Sequence, residues 1–124
     1  MDNILYQNKL IKIEIEPHEV PWLKIFTQEE IKEFSQCDGE IKLAILDALD
    51  IIEKEMLEYF KPTKINIASF GNYMPWVHFH IQARFEDDSF FPEPTWGDKQ
   101  RDEKKDIRDK IIFYDNLKLK LSLI

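Results

Sequence analysis

The sequence predicts an α+β fold, an antiparallel sheet of about five strands with one long and one short helix packed on it. Three observations carry that prediction. Within residues 10–16, apolar and charged side chains alternate without a break from Ile11 on. Residues 38–60 carry one apolar stripe at helical spacing. Two strand-like runs, 64–70 and 76–85, are separated by the turn residues Gly71-Asn72-Tyr73-Met74-Pro75.

Taken in order, Ile11, Ile13 and Ile15 point one way and Lys12, Glu14 and Glu16 the other, as in a half-buried strand. Pro17 ends that run, and residues 20–26 read as a turn into a second short apolar strand. Thr27 and Glu30 form a capping-box pattern that predicts a short helix to about Ser35. Asp38 then offers an N-cap for the long helix. Its stripe is Ile41, Ala44, Ile45, Ala48, Leu49, Ile52, Met56, Tyr59 and Phe60, with Lys61-Pro62 as the stop. Asp47, Asp50, Glu53, Glu55 and Glu58 read as its solvated face. The runs at 64–70 and 76–85 suit antiparallel pairing. Residues 86–97, rich in proline and aromatics, read as an ordered loop. Residues 98–110 read as a solvated helix or loop, and Leu117–Leu123 alternates at period two like a strand, although leucine and lysine also favour helices.

A length of 124 residues is one domain's worth, so the whole of 1–124 is taken as a single domain. Residues 1–97 hold 18 acids and 9 bases, while 98–124 hold 6 acids and 8 bases. An acidic body of this kind argues against nucleic acid as a partner, because phosphate backbones need a basic stripe. The single cysteine, Cys37, excludes an internal disulfide and a cysteine-based zinc site and fits a reducing compartment. Three glycines leave no material for a glycine-rich phosphate loop. No apolar run reaches the roughly 20 residues of a membrane span, and Met-Asp-Asn is no signal peptide. The expectation is a cytoplasmic domain without a membrane partner.

The run 76–85 is the informative one. Side chains alternate across a strand, so Val77, Phe79, Ile81, Ala83 and Phe85 share an apolar face. Trp76, His78, His80, Gln82 and Arg84 share the other, and Arg84 is the only arginine of the first 97 residues. Three readings compete for that row. Nucleophilic catalysis at phosphorus would use one imidazole to attack and the other groups to hold the phosphate. A metal centre would use His78 and His80 with Glu86, Asp87 or Asp88. The third is a row of polar side chains without chemistry.

The wording of residues 64–97 goes beyond pattern. Lys-Ile-Asn-Ile-Ala-Ser-Phe-Gly-Asn-Tyr-Met-Pro, Trp-Val-His-Phe-His-Ile-Gln-Ala-Arg and Phe-Glu-Asp-Asp-Ser-Phe-Phe-Pro-Glu-Pro-Thr-Trp-Gly resemble the histidine triad (HIT) superfamily. The resemblance is nearest to a bacterial branch called diadenosine tetraphosphate hydrolase-like. It implies a HIT-like fold, a small nucleotide as substrate, a homodimer, no metal and no cofactor. Registered on Met74-Pro75 and Arg84, the family's three histidines fall on Trp76, His78 and His80. His78 then inherits the nucleophile's role and His80 that of orienting the phosphate. Asn66, Asn72, Trp76, Gln82 and Arg84 become candidates for contacting substrate or phosphate, and Glu14 or Glu16 for the ribose.

The departures are plain. Trp76 replaces the first histidine, Pro21-Trp22-Leu23 stands at the family's Pro-Gly-His/Phe turn, and Ala83 replaces a proline. A second register, His78-x-His80-x-Gln82, resembles the galactose-1-phosphate uridylyltransferase branch and would make His80 the nucleophile. The metal reading weakens, because a cupin centre wants five residues before its His-x-His and this chain has six between Gly71 and His78. Two functions stand against each other: a nucleotide hydrolase or nucleotidyl transferase working through a histidine–nucleotide intermediate on a phosphoanhydride or phosphoramidate, and a degenerate domain that binds a nucleotide or a partner protein without turnover, with Trp76 filling the phosphate end.

Overall fold

The computed structural model describes residues 3–124. Five strands form one antiparallel sheet: β1 (Ile4–Gln7), β2 (Ile11–Ile15), β3 (Trp22–Thr27), β4 (Lys64–Ala68) and β5 (His78–Arg84), in the spatial order β1-β2-β3-β5-β4. The helices are α1 (Gly39–Phe60) and α2 (Lys110–Leu121). The fold class is the one the sequence predicts, although three elements differ from expectation.

The first strand went unread. Ile4–Gln7 is too short for a periodic signal, and it forms because Asn8 turns the chain back. The Asn8 Oδ1 accepts from the amides of Leu10 at 2.8 Å and Ile11 at 3.0 Å. At the other end, the alternation of Leu117–Leu123 misleads. Leu117–Leu121 is the last part of α2, in which Phe113, Leu117 and Leu121 are fully buried at four-residue spacing. Leu119 and Leu123 stand in solvent. The groove beside α1 decides the matter: Phe113 packs on Phe60 at 4.8 Å between ring centroids and on Tyr59 at 6.0 Å. Burying each such side chain contributes roughly 1.5–3 kcal/mol, more than the difference in local propensity.

The short helix expected after Thr27 also fails to form. Thr27 is the buried last residue of β3, and its hydroxyl donates to the Glu29 carbonyl at 2.6 Å and accepts from the Trp76 indole at 2.9 Å. It is therefore not free to cap. The following chain runs beside the entrance to β5, where the Val77 amide donates to the Ile31 carbonyl at 2.7 Å. Only one 3-10 turn forms, Phe34–Gln36.

The long helix is as expected. The Asp38 carboxylate accepts from the Ile41 amide at 3.1 Å, and Lys61 closes the helix at φ 48° ahead of Pro62. Its stripe covers one face of the sheet, meeting Ile11, Ile13, Leu23, Ile25, Ile81 and Ala83 in a single core. One acid departs from the solvated face: Glu55 is buried and paired with Lys120 of α2. The chain between 98 and 109 is loop, tied down where Lys110 Nζ donates to the His18 carbonyl at 2.8 Å. No described helix is long and apolar enough to cross a membrane.

Candidate active site

β5 lies between β3 and β4, so its polar row is flanked on both sides by paired residues. Phe26 pairs with His78, Lys24 with His80 and Trp22 with Gln82. On the other side Ala68 pairs with His80, Asn66 with Gln82 and Lys64 with Arg84. Directly paired residues project to the same face, so these side chains crowd the face opposite the helix. Along this row a cavity of about 530 Å³ opens over the histidine end. Its walls come from β3 (Trp22, Lys24, Phe26), β5 (His78, His80), the 70–74 segment and Trp96, with Glu16 at one side.

The two imidazoles are set in opposite senses. The His78 Nδ1 lies 2.6 Å from the Trp76 carbonyl oxygen, an acceptor only, so Nδ1 carries a proton and, in the neutral ring, Nε2 the lone pair. The His80 Nδ1 accepts from the Trp22 indole Nε1–H at 3.0 Å, so this ring carries its proton on Nε2. The rings lie 5.0 Å apart, and His78 stacks on Phe26 at 4.9 Å. Burial, then the neighbouring His78 and Lys24, hold the His80 pKa down to about 4 against a small opposing pull from Glu16. His80 is thus a neutral donor, and His78 offers a lone pair beside it.

The other end of the row is closed. Arg84 is 1% exposed, and four of its hydrogen bonds are made within the protein. Nε and Nη2 donate to the two oxygens of Asp88 at 2.9 and 3.0 Å, Nη1 to Asn66 Oδ1 at 3.0 Å and Nη2 to the Glu93 carbonyl at 2.8 Å. Asp88 accepts in addition from the amides of Phe85, Phe90 and Phe91. Burial alone would push the Asp88 carboxyl up; Arg84 and the three amides outweigh it and hold it down at about 2. Gln82, also buried, donates to Thr95 Oγ1 at 2.8 Å.

Of the residues singled out in the sequence, the fold brings His78, His80, Asn72 and Glu16 to the cavity. It does not bring Arg84, Gln82, Asn66, Trp76 or Glu14 there. Arg84 holds the 88–93 loop instead of facing a phosphate, because a buried guanidinium needs a buried carboxylate more than an open cavity supplies. Asn66 serves Arg84 and lines a neighbouring groove with Phe70 and Trp96. The Trp76 indole turns to Thr27, donating to its carbonyl and hydroxyl oxygens at 2.9 Å each, so it plugs nothing. Glu14 pairs with Lys12 at 3.1 Å and Glu16 with Lys24 at 2.8 Å. Among the described residues no three His, Cys, Asp or Glu side chains converge as metal ligands. Sequence reasoning missed Trp22, Lys24, Phe70 and Trp96. Trp22 and Lys24 were readable in principle, because alternation from Ile25 puts them opposite the core. Phe70 follows Asn66 and Ala68 in the alternation of 64–70 but lies past the end of β4, and Trp96 lies outside the strands with no such signal.

No protein-family model and no curated protein matches the sequence. Solved structures do match the fold. A histidine triad protein from Bradyrhizobium japonicum superposes with a TM-score of 0.73 at 23% identity, over 98% of this chain and 90% of that one. Another, from Marinobacter aquaeolei VT8, gives 0.71 at 24% identity, over 98% and 88%. A hypothetical histidine triad nucleotide-binding protein from Sulfolobus tokodaii gives 0.60 at 11%, over 98% and 81%. The chain has the fold of histidine triad proteins.

Proposed function

We propose that this chain is a nucleotide hydrolase or nucleotidyl transferase of the histidine triad type, with His78 as nucleophile and His80 as the phosphate's hydrogen-bond donor. The opposed tautomers of the two imidazoles on one cavity wall carry the reading. His78 Nε2 attacks the phosphorus of a small nucleotide. The N–P bond forms as the bond to the leaving oxygen or nitrogen breaks, and the electron pair departs with that group. The positive charge gained by the ring is shared, through Nδ1–H, with the Trp76 carbonyl. His80 Nε2–H donates to a phosphate oxygen as charge develops there. Water then breaks the N–P bond, frees the nucleoside monophosphate and returns the imidazole. This assignment favours the register in which His78, not His80, attacks, since the His80 lone pair is already occupied by Trp22.

Charge narrows the substrate. Lys24 is the one cation among the described residues lining the cavity, it is paired with Glu16, and Arg84 is held by Asp88. A long polyphosphate finds no counter-charge there. A phosphoramidate or another nucleotide with a single charge at the reacting phosphorus fits, with Phe70, Tyr73 and Trp96 as an apolar wall for what departs. The rival reading, binding without turnover, takes its motive from an indole in the phosphate end, and Trp76 stands outside the cavity. A homodimer belongs to the proposal; the free edge of β4 and the exposed Leu43, Leu46 and Leu57 of α1 are the surfaces available to it.

The test is to incubate the protein with a labelled adenosine phosphoramidate and, in parallel, a diadenosine polyphosphate, quenching at alkaline pH to preserve a phosphohistidine-type bond. Wild type should form an adduct, faster with the phosphoramidate. His80→Ala should form it slowly, and His78→Ala should lose it by a factor on the order of 10³ or more. No turnover and no adduct in wild type would sink the proposal.

A further inference from the structure

Trp22 opens β3 and is almost wholly buried, with its indole between three rings. His18 lies 5.1 Å away, Trp96 5.2 Å and His80 5.6 Å, each edge-on. Its Nε1–H makes one hydrogen bond, the 3.0 Å contact to His80 Nδ1. An indole nitrogen donates and never accepts. The contact therefore exists only while His80 Nδ1 is unprotonated. A proton on that atom, whether from the other tautomer or from an imidazolium, would set two donors against each other in a largely buried aromatic cluster.

We propose that Trp22 is a positioning residue whose indole N–H locks His80 into the Nε2–H tautomer, so that this ring presents a neutral donor to the cavity. The groups facing His80 could not enforce that choice. His78 on the same strand and Lys24 on β3 disfavour a second positive charge, and Glu16, beyond β2, favours one. All three act on charge, whereas the two neutral tautomers differ in none. Only a directional contact separates them, and the indole supplies it. The lock also divides labour: with the His80 lone pair occupied, the His78 Nε2 is the one imidazole lone pair left for the cavity. The inference rests on the nucleotidyl-transfer reading for its catalytic consequence and not for the lock itself.

The test uses the full chain labelled with ¹⁵N and long-range ¹H–¹⁵N spectra of the histidine rings, titrated with pH. Wild type should show His80 protonated on Nε2 and His78 on Nδ1. Trp22→Phe retains the apolar ring and removes the N–H. In it, His80 should average between tautomers and its midpoint should rise by about one pH unit. The His78 pattern should stay unchanged, which reports that the strand is intact. An Nδ1-protonated His80 in wild type overturns the lock, and that spectrum decides the question even if the variant fails to fold. An unchanged His80 in a folded Trp22→Phe overturns it as well. A wild type with His80 on Nε2 that forms no nucleotide adduct supports the lock and sinks the catalytic reading, so the two failures are told apart.

Discussion

The two ends of the polar row on β5 have the same alternation, the same face and nearly the same burial, yet they differ in kind. At the Arg84 end the guanidinium is answered from within: a bidentate carboxylate, an amide oxygen and a backbone carbonyl surround it. At the histidine end each ring has one nitrogen bound and the other left to a cavity. What separates them is the chain laid over each. The loop from 86 to 97 bends back on Asp88 and seals the arginine, while Trp96 at its far end stands beside His80 as a wall, 4.9 Å between rings. A row of polar side chains on a strand thus becomes part anchor and part site according to what covers it.

The strongest way to break this contrast is Asp88→Ala. It strands a buried guanidinium and three backbone amides, and should cost about 3–5 kcal/mol in denaturant unfolding. A loss below about 1 kcal/mol would mean that the anchor is not one. A gentler separation comes from pH. The unfolded chain takes up a proton on a histidine near 6.5, whereas folded His80 resists until about 4. Stability from that end is complete above 6.5 and drains away as pH falls toward 4. Folded Asp88 titrates at about 2 against an ordinary 3.8, so its share holds above 3.8 and is lost as pH falls toward 2. Unfolding free energy followed against pH should decline in those two windows. His80→Gln should flatten the upper window and Asp88→Asn the lower. A single decline common to both variants would dissolve the distinction. The smallest effect is expected from Trp76→His. With the indole turned to Thr27, turnover should change by no more than about threefold; a gain of tenfold or more would return position 76 to the site.

Reading the row from the sequence succeeded where periodicity and face coincide. The face of the two histidines and that of the core side chains beside them follow from alternation, and the fold agrees with the resemblance over residues 64–97. Arg84 stands on the predicted face but away from the cavity, for a reason alternation cannot express. A guanidinium on the site face serves equally to hold phosphate or to hold a loop, and the choice depends on Asp88, four residues later, folding back onto it. The N-terminal strand and the C-terminal helix fail in a related way. Ile4–Gln7 gains its identity from pairing with β2, and Leu117–Leu121 from the groove at Phe60, neither of which has a local signature.

By itself the sequence determined the α+β class, the Asp38-capped helix with its proline stop, and which face of 76–85 meets the core. These rest on interactions within a few residues, where period, caps and turn chemistry decide. Tertiary structure decided the tautomers. Trp22 and His80 are 58 positions apart, and only the β3–β5 register brings an indole proton to an imidazole lone pair. A hydrogen bond of that reach has no trace in spacing, because its geometry is set by strand pairing and not by the chain between.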